Sequence, residues 1–209
     1  MKRLVAMALG LALALAGCAG SPPNPRFVGT WPAQVPSSGA YDDETAAWTR
    51  SGELHANFQQ VAKLHALIKS PSWRAAWVAR RAQRGRLSDA ARAELMAAQQ
   101  QADQEALEVV LVVTTWDRSE NDLDRGGRSV WRIALVDADG NEVLPTEIKR
   151  DRRPEMVLRA EYEGVDDFAR VYVAKFPRAT HIYGDEVQKV GLRMSSPRGG
   201  IELTWQAAR

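Results

Sequence analysis

Five oxygen donors, Asp117, Glu120, Asn121, Asp122 and Asp124, fall within eight positions of the stretch "WDRSENDLDRGGR". Carboxylates and amides are the ligands that a hard cation such as Ca²⁺ takes. Paired carboxylates are also what glycosidic hydrolysis uses. Arg118, Arg125 and Arg128 share the stretch, however, and the spacing is not that of an EF-hand loop. The expectation is a solvated, salt-bridged loop. Asp117, Glu120, Asp122 and Asp124 are the residues that would carry metal binding or hydrolysis in a periplasmic enzyme. The three histidines add little: His55 and His65 are ten residues apart, and His181 follows Pro177 in a loop. No nucleophile elbow, zincin helix or phosphate loop is present, so neither a catalytic residue, a metal site nor a cofactor is assigned.

The second chemical feature is a separation of charge. Lys63 to Arg92 carries eight basic residues against one acid, Asp89, a balance of +7; Glu94 to Asp124 carries eight acids against one base, Arg118, a balance of −7. Such runs are first of all solvated faces, or faces that meet one another. The sharper reading makes Arg80, Arg81 and Arg84 a basic face for phosphate-bearing lipid headgroups or an acidic partner. Of these, the expectation is a protein partner, with only marginal binding to anionic vesicles. Arg80 and Arg81 also stand three and four residues after Trp77, the spacing of a helical cation–π contact.

The only cysteine, Cys18, closes "LALAGC". Lys2 and Arg3 precede an uncharged apolar run from Leu4 to Leu15, too short to span a bilayer but of signal-peptide length. Leu15-Ala16-Gly17-Cys18 resembles the lipobox of bacterial lipoproteins at every position. The resemblance implies diacylation of Cys18, cleavage before it, and Ala19 as an outer-membrane sorting residue. It places the chain in the cell envelope, lipid-anchored at the periplasmic leaflet of the outer membrane. Segments further on, Ser72-Trp73-Arg74-Ala75-Ala76, Asn121-Asp122-Leu123 and Val130-Trp131-Arg132-Ile133, loosely resemble bacterial envelope lipoproteins of no assigned activity. Loss of Lys2 and Arg3 with the signal takes the chain from 28 basic and 26 acidic residues to 26 of each. A neutral mature chain gives no reason to expect nucleic acid as partner.

These residues need elements to hold them. The spacing predicts an α+β chain. Residues 1–17 are the signal peptide, and 18–41 are a Pro-rich tether able to extend several tens of Å, with Phe27 and Trp31 as possible docking points. Residues 42–106 form a helical segment of two or three helices, in which Leu54, Phe58, Val61, His65 and Ile68 share one face and His65 is a hydrogen-bonded core residue. Ser70-Pro71 restarts the helix and Ser88 caps another. Residues 107–209 supply seven alternating segments, "MVLRAEYE" among them, expected to form an antiparallel, immunoglobulin-like β-sandwich with Trp131 or Trp205 in its core. The function expected is a non-catalytic binding or assembly module on a membrane anchor; the alternative is the hydrolase or metal-dependent enzyme of loop 117–124.

Overall fold

The computed structural model describes residues 22–34, 36–37, 39–179 and 181–208. Cys18 and residues 1–17, the expected signal segment, lie outside the described residues. The fold is α+β, with nine strands in two antiparallel sheets and four α-helices among the described residues. One sheet has the order β1-β2-β3-β7-β6, from strands Thr49–Ala56, Gln59–Ile68, Leu107–Thr115, Arg170–Phe176 and Glu147–Arg150. The other has the order β5-β4-β8-β9, from Glu142–Val143, Arg132–Val136, Lys189–Ser196 and Gly199–Gln206.

The first sheet is covered on both faces. Gly52 of β1 stands opposite Leu64 of β2, and a Cβ there would lie 2.8 Å from Ile201 and 3.0 Å from Leu203. That face therefore meets β9, and only glycine fits the crossing. The alternate residues His65, Leu67, Val110 and Val112 face a small cavity shared with Thr45, Thr49 and Tyr162. Coverage on both sides explains why β3, "LEVVLVVTT", is apolar almost throughout. One continuous core runs through both sheets and includes Trp131 and Trp205. The Trp205 indole donates to the Trp48 carbonyl at 2.9 Å, so its polar edge is satisfied in the dry interior.

Three expectations are corrected. Residues 49–68 are not helical: they form the hairpin β1–β2, and burial alternates along most of β1. Its turn is Asn57-Phe58, both at positive φ (51° and 62°), with no glycine to announce it. The helical front therefore does not precede the sheet. Helix α1 (Ala40–Trp48) leads into β1, while α2 (Pro71–Gly85) and α3 (Asp89–Glu105) are inserted between two strands that pair with each other, β2 and β3. Second, "MVLRAEYE" is not a strand. Glu155–Glu161 is helix α4, started by Pro154 and carrying Glu155 in its first turn. Third, the tether does not run free to residue 41, and of its two expected docking points Phe27 does dock. Phe27 is buried in the core, its ring 5.3 Å from that of Trp48. The Pro25 carbonyl accepts from the Ala208 amide at 2.8 Å, and the Pro23 carbonyl from Arg50 at 3.1 Å.

Helices α2 and α3 begin where their caps place them. Ser70 Oγ accepts from the Trp73 amide at 3.0 Å, with Pro71 opening α2; Ser88 Oγ accepts from Ala91 at 3.3 Å. Helix α2 stops after Gly85, where Arg86 takes a left-handed conformation. Its N-terminal half is fixed by ions. Arg74 is fully buried and donates to the Lys69 carbonyl, to Gln99 and to Glu108, the last at 3.0 Å. Lys69 also reaches Glu108 at 3.1 Å. Burial pushes the Glu108 carboxyl up, but the charges of Lys69 and Arg74 outweigh it and hold the group below the usual range.

Candidate functional site: an arginine-rimmed groove between α2 and α4

Position along α2 decides which residues face the groove. Trp77, Arg81 and Arg84 recur at i, i+4 and i+7 and form one stripe, with Arg80 beside it. Opposite this stripe, α4 presents Met156, Val157 and Ala160. Between them lies a groove of about 450 Å³, lined also by Leu87 and Tyr41. Tyr41 ties the two walls together. It lies in α1, its hydroxyl donates to the Glu161 carbonyl at 2.8 Å, and its ring packs 5.7 Å from that of Trp73.

The three arginines are not equivalent. Arg80 is held: its guanidinium lies 4.0 Å over the Tyr41 ring and 3.4 Å from Asp42. The expected stacking on Trp77 is made by Arg81 alone, at 5.8 Å. Among the described residues, Arg80 is the only one of the three with a carboxylate in ion-pair reach. Arg81 and Arg84 are exposed, and neither has a carboxylate within ion-pair reach among the described residues. Glu161 is the acid in the lining, and Arg153 engages it at 2.7 Å. Met156 is 83% exposed and Leu87 38%, so apolar side chains stand open to solvent beside uncompensated positive charge.

The acidic loop is built differently. Asp117 accepts from the Ser119 hydroxyl and amide, and these bonds lower its pKa. Glu120 pairs with Arg198 at 2.6 Å. Asp122 is buried, accepts from the Ser129 hydroxyl at 2.8 Å and lies 3.7 Å from Arg125. Asp124 is exposed. Three of the four carboxylates thus turn to separate partners, and Asp124 to solvent. Among the described residues, no group of three or more His, Cys, Asp or Glu is placed to hold a metal ion. The residue that gives the loop its structural role is Asn121. It donates to the Val113 carbonyl at 2.6 Å, while Tyr172 donates to its own carbonyl at 2.7 Å. It clasps the ends of β3 and β7.

His65 lies on β2 rather than on a helix. Its ring is packed under Gly164, and neither buried ring nitrogen has a hydrogen-bond partner among the described residues. Burial, followed by the nearby Lys63, lowers its pKa and keeps the imidazole neutral.

Sequence reasoning reached the arginines of the groove but missed Met156, Val157, Leu87 and Tyr41. The available signal was Pro154-Glu155, a helix start. Reading it would have brought α4, and so a second wall, into view. No protein family matches the chain, and no curated protein or solved structure is significantly similar to it.

Proposed function

We propose that the chain is a lipid-anchored, non-catalytic binding module of the cell envelope, and that its ligand site is the groove between α2 and α4. The observation that carries this reading is the pair Arg81 and Arg84 on one wall, without an ion-pair partner among the described residues, and the exposed Met156 on the other. A site of about 450 Å³ falls within the size of small-molecule pockets. The occupant we propose is therefore a small anionic ligand with an apolar part, in place of the protein partner first expected.

The anchor rests on Leu15-Ala16-Gly17-Cys18. With Pro23 and Pro25 bonded to the domain, five residue steps separate Cys18 from the first docked carbonyl. Five steps span at most about 17 Å. The domain would then sit close against the bilayer, at the periplasmic leaflet of the outer membrane. We also read the two sheets as a sandwich of the immunoglobulin-like kind, elaborated by α1–α4. The antiparallel pairing throughout and the shared core support it.

Two measurements test the proposal. Cys18→Ser should abolish palmitate labelling and move the chain to the soluble fraction; unchanged labelling would refute the anchor. For the groove, the probe is anilinonaphthalene sulfonate, an anion with an apolar body. Wild-type chain in zwitterionic bilayer discs should bind it saturably, and Arg81→Glu/Arg84→Glu in the same discs should not. Equal binding by both would refute the groove as the ligand site.

A further inference from the structure

We infer that the groove holds a single-chain amphiphile with a phosphate headgroup; this rests on the groove being the ligand site. The headgroup follows from the donors. Arg81 and Arg84 are i, i+3 on one helix face, so their side chains start about 5–6 Å apart. Each carries a planar fork of N–H donors that suits a tetrahedral, multiply charged oxyanion. The charges that could have neutralised them are taken. Asp42 is occupied by Arg80, and Glu161 by Arg153. The lining carries three arginines against this one glutamate. A carboxylate would offset one of the two free charges, whereas a phosphate monoester carries about −1.5 to −2 and offsets both.

The tail follows from the walls. Beside and across from the forks the groove is lined by Trp77, Leu87, Met156, Val157 and Ala160, and its one acid is the engaged Glu161. Met156 stands in solvent at 83% exposure, and its flexible thioether adapts to a chain without fixed shape. The groove therefore offers charge and apolar surface side by side. The last turn of α2 carries the negative end of its helix dipole. The anion is thus held by the arginine forks and not by the helix terminus.

The test uses the full chain in zwitterionic bilayer discs and a dodecyl phosphate carrying a photoreactive diazirine in its chain. After irradiation and digestion, labelled peptides should contain Trp77–Leu87 and Met156–Val157. Unlabelled dodecyl phosphate should suppress the labelling, while equal concentrations of dodecanoate, dodecanol or inorganic phosphate should leave most of it. Arg81→Glu/Arg84→Glu should lower labelling about tenfold or more, the loss of two charge-assisted contacts. Met156→Asp, an exposed change, should lower it from the hydrocarbon side with an unaltered melting temperature. Labelling spread over other surfaces, or unchanged in either variant, would overturn the inference. Competition by dodecanoate as strong as by dodecyl phosphate would overturn the headgroup. Arginine-dependent binding of the sulfonate probe without phosphate-specific labelling would leave the site standing and remove only the ligand class. Failure of both removes the site.

Discussion

The buried ion cluster at the start of α2 makes a quantitative claim about which charge matters most. Glu108 sits between Lys69 at 3.1 Å and Arg74 at 3.0 Å, with Lys175 at 4.0 Å. Arg74 has its side chain 1% exposed, and its next nearest acid is Asp103 at 3.8 Å. Removing Glu108 therefore takes the close partner from two cations, leaving Arg74 only the more distant Asp103. Removing Arg74 strands less, because Glu108 keeps Lys69 and Asp103 keeps Arg178 at 2.6 Å. Breaking a buried pair from one side costs roughly 3–5 kcal/mol. Glu108→Leu belongs at the upper end of that range and Arg74→Met at the lower. At about 2–4 °C per kcal/mol for a chain of this size, the melting temperature should fall by about 8–20 °C and about 6–12 °C respectively. The double variant should cost roughly 1–3 kcal/mol less than the sum, since the two residues share one interaction. Urea titrations with unchanged slopes give the energies. The pH dependence adds a sign. Because the Glu108 pKa is depressed in the fold, its contribution is present above the unfolded value of about 4.3 and is lost as pH falls through the folded value. The difference in stability between wild type and Glu108→Gln should therefore shrink below about pH 4.3. An Arg74→Met cost exceeding that of Glu108→Leu, or strictly additive effects, would refute the assignment of Glu108 as the hub.

The remaining predictions concern strain and one unpartnered histidine. Phe58 holds φ of 62° in a two-residue hairpin turn and its side chain is fully exposed; Phe58→Gly should relieve about 1–2 kcal/mol of left-handed strain, less about 0.5–1 kcal/mol of glycine entropy. A higher melting temperature is expected, and a lower one would show that the ring has a stabilising contact. Gly164 has φ of 78°, and a Cβ would lie 2.3 Å from the His65 ring, so Gly164→Ala should destabilise by roughly 2–4 kcal/mol; an unaltered melt would contradict that packing. His65 faces Lys63, Glu53 and Asp166, and its lowered pKa means stability is present above the unfolded value of about 6.5 and declines as pH drops below it. His65→Leu should remove that component, and identical slopes for both proteins between about pH 7 and 5.5 would sink it.

What was legible in the sequence was whatever a local hydrogen bond writes into it. Ser70-Pro71 and Ser88 marked true helix starts, because a cap is satisfied within three residues. "DADGN" marked a true turn: Asp137 accepts from Asp139 and Asn141, and Gly140 takes φ of 89°. The misreadings came where burial is set by distant chain. Leu54, Phe58, Val61, His65 and Ile68 fall on a helical face by spacing, yet Phe58 is the exposed tip of a turn and His65 packs under Gly164. In "MVLRAEYE" the apolar alternation suggested a strand, yet only Leu158 is buried within α4, and Met156 is free because nothing described lies across the groove from it except α2.

The charge separation shows how the groove escaped a local reading. Among the described residues, ion pairs join the +7 and −7 runs only at the start of α2, where Arg74 and Lys69 meet Glu108 and Asp103 lies near. Arg74 and Arg81 are seven residues apart and so occupy the same helical stripe. One is fully buried among acids and the other is exposed. The difference is made by what crosses the stripe. At Arg74 it is the end of α3 and the start of β3, which bring Gln99, Asp103 and Glu108. Two turns on it is α4, which brings Met156 and Val157. The same arginine chemistry therefore locks the fold at one end of α2 and is left available to a ligand at the other.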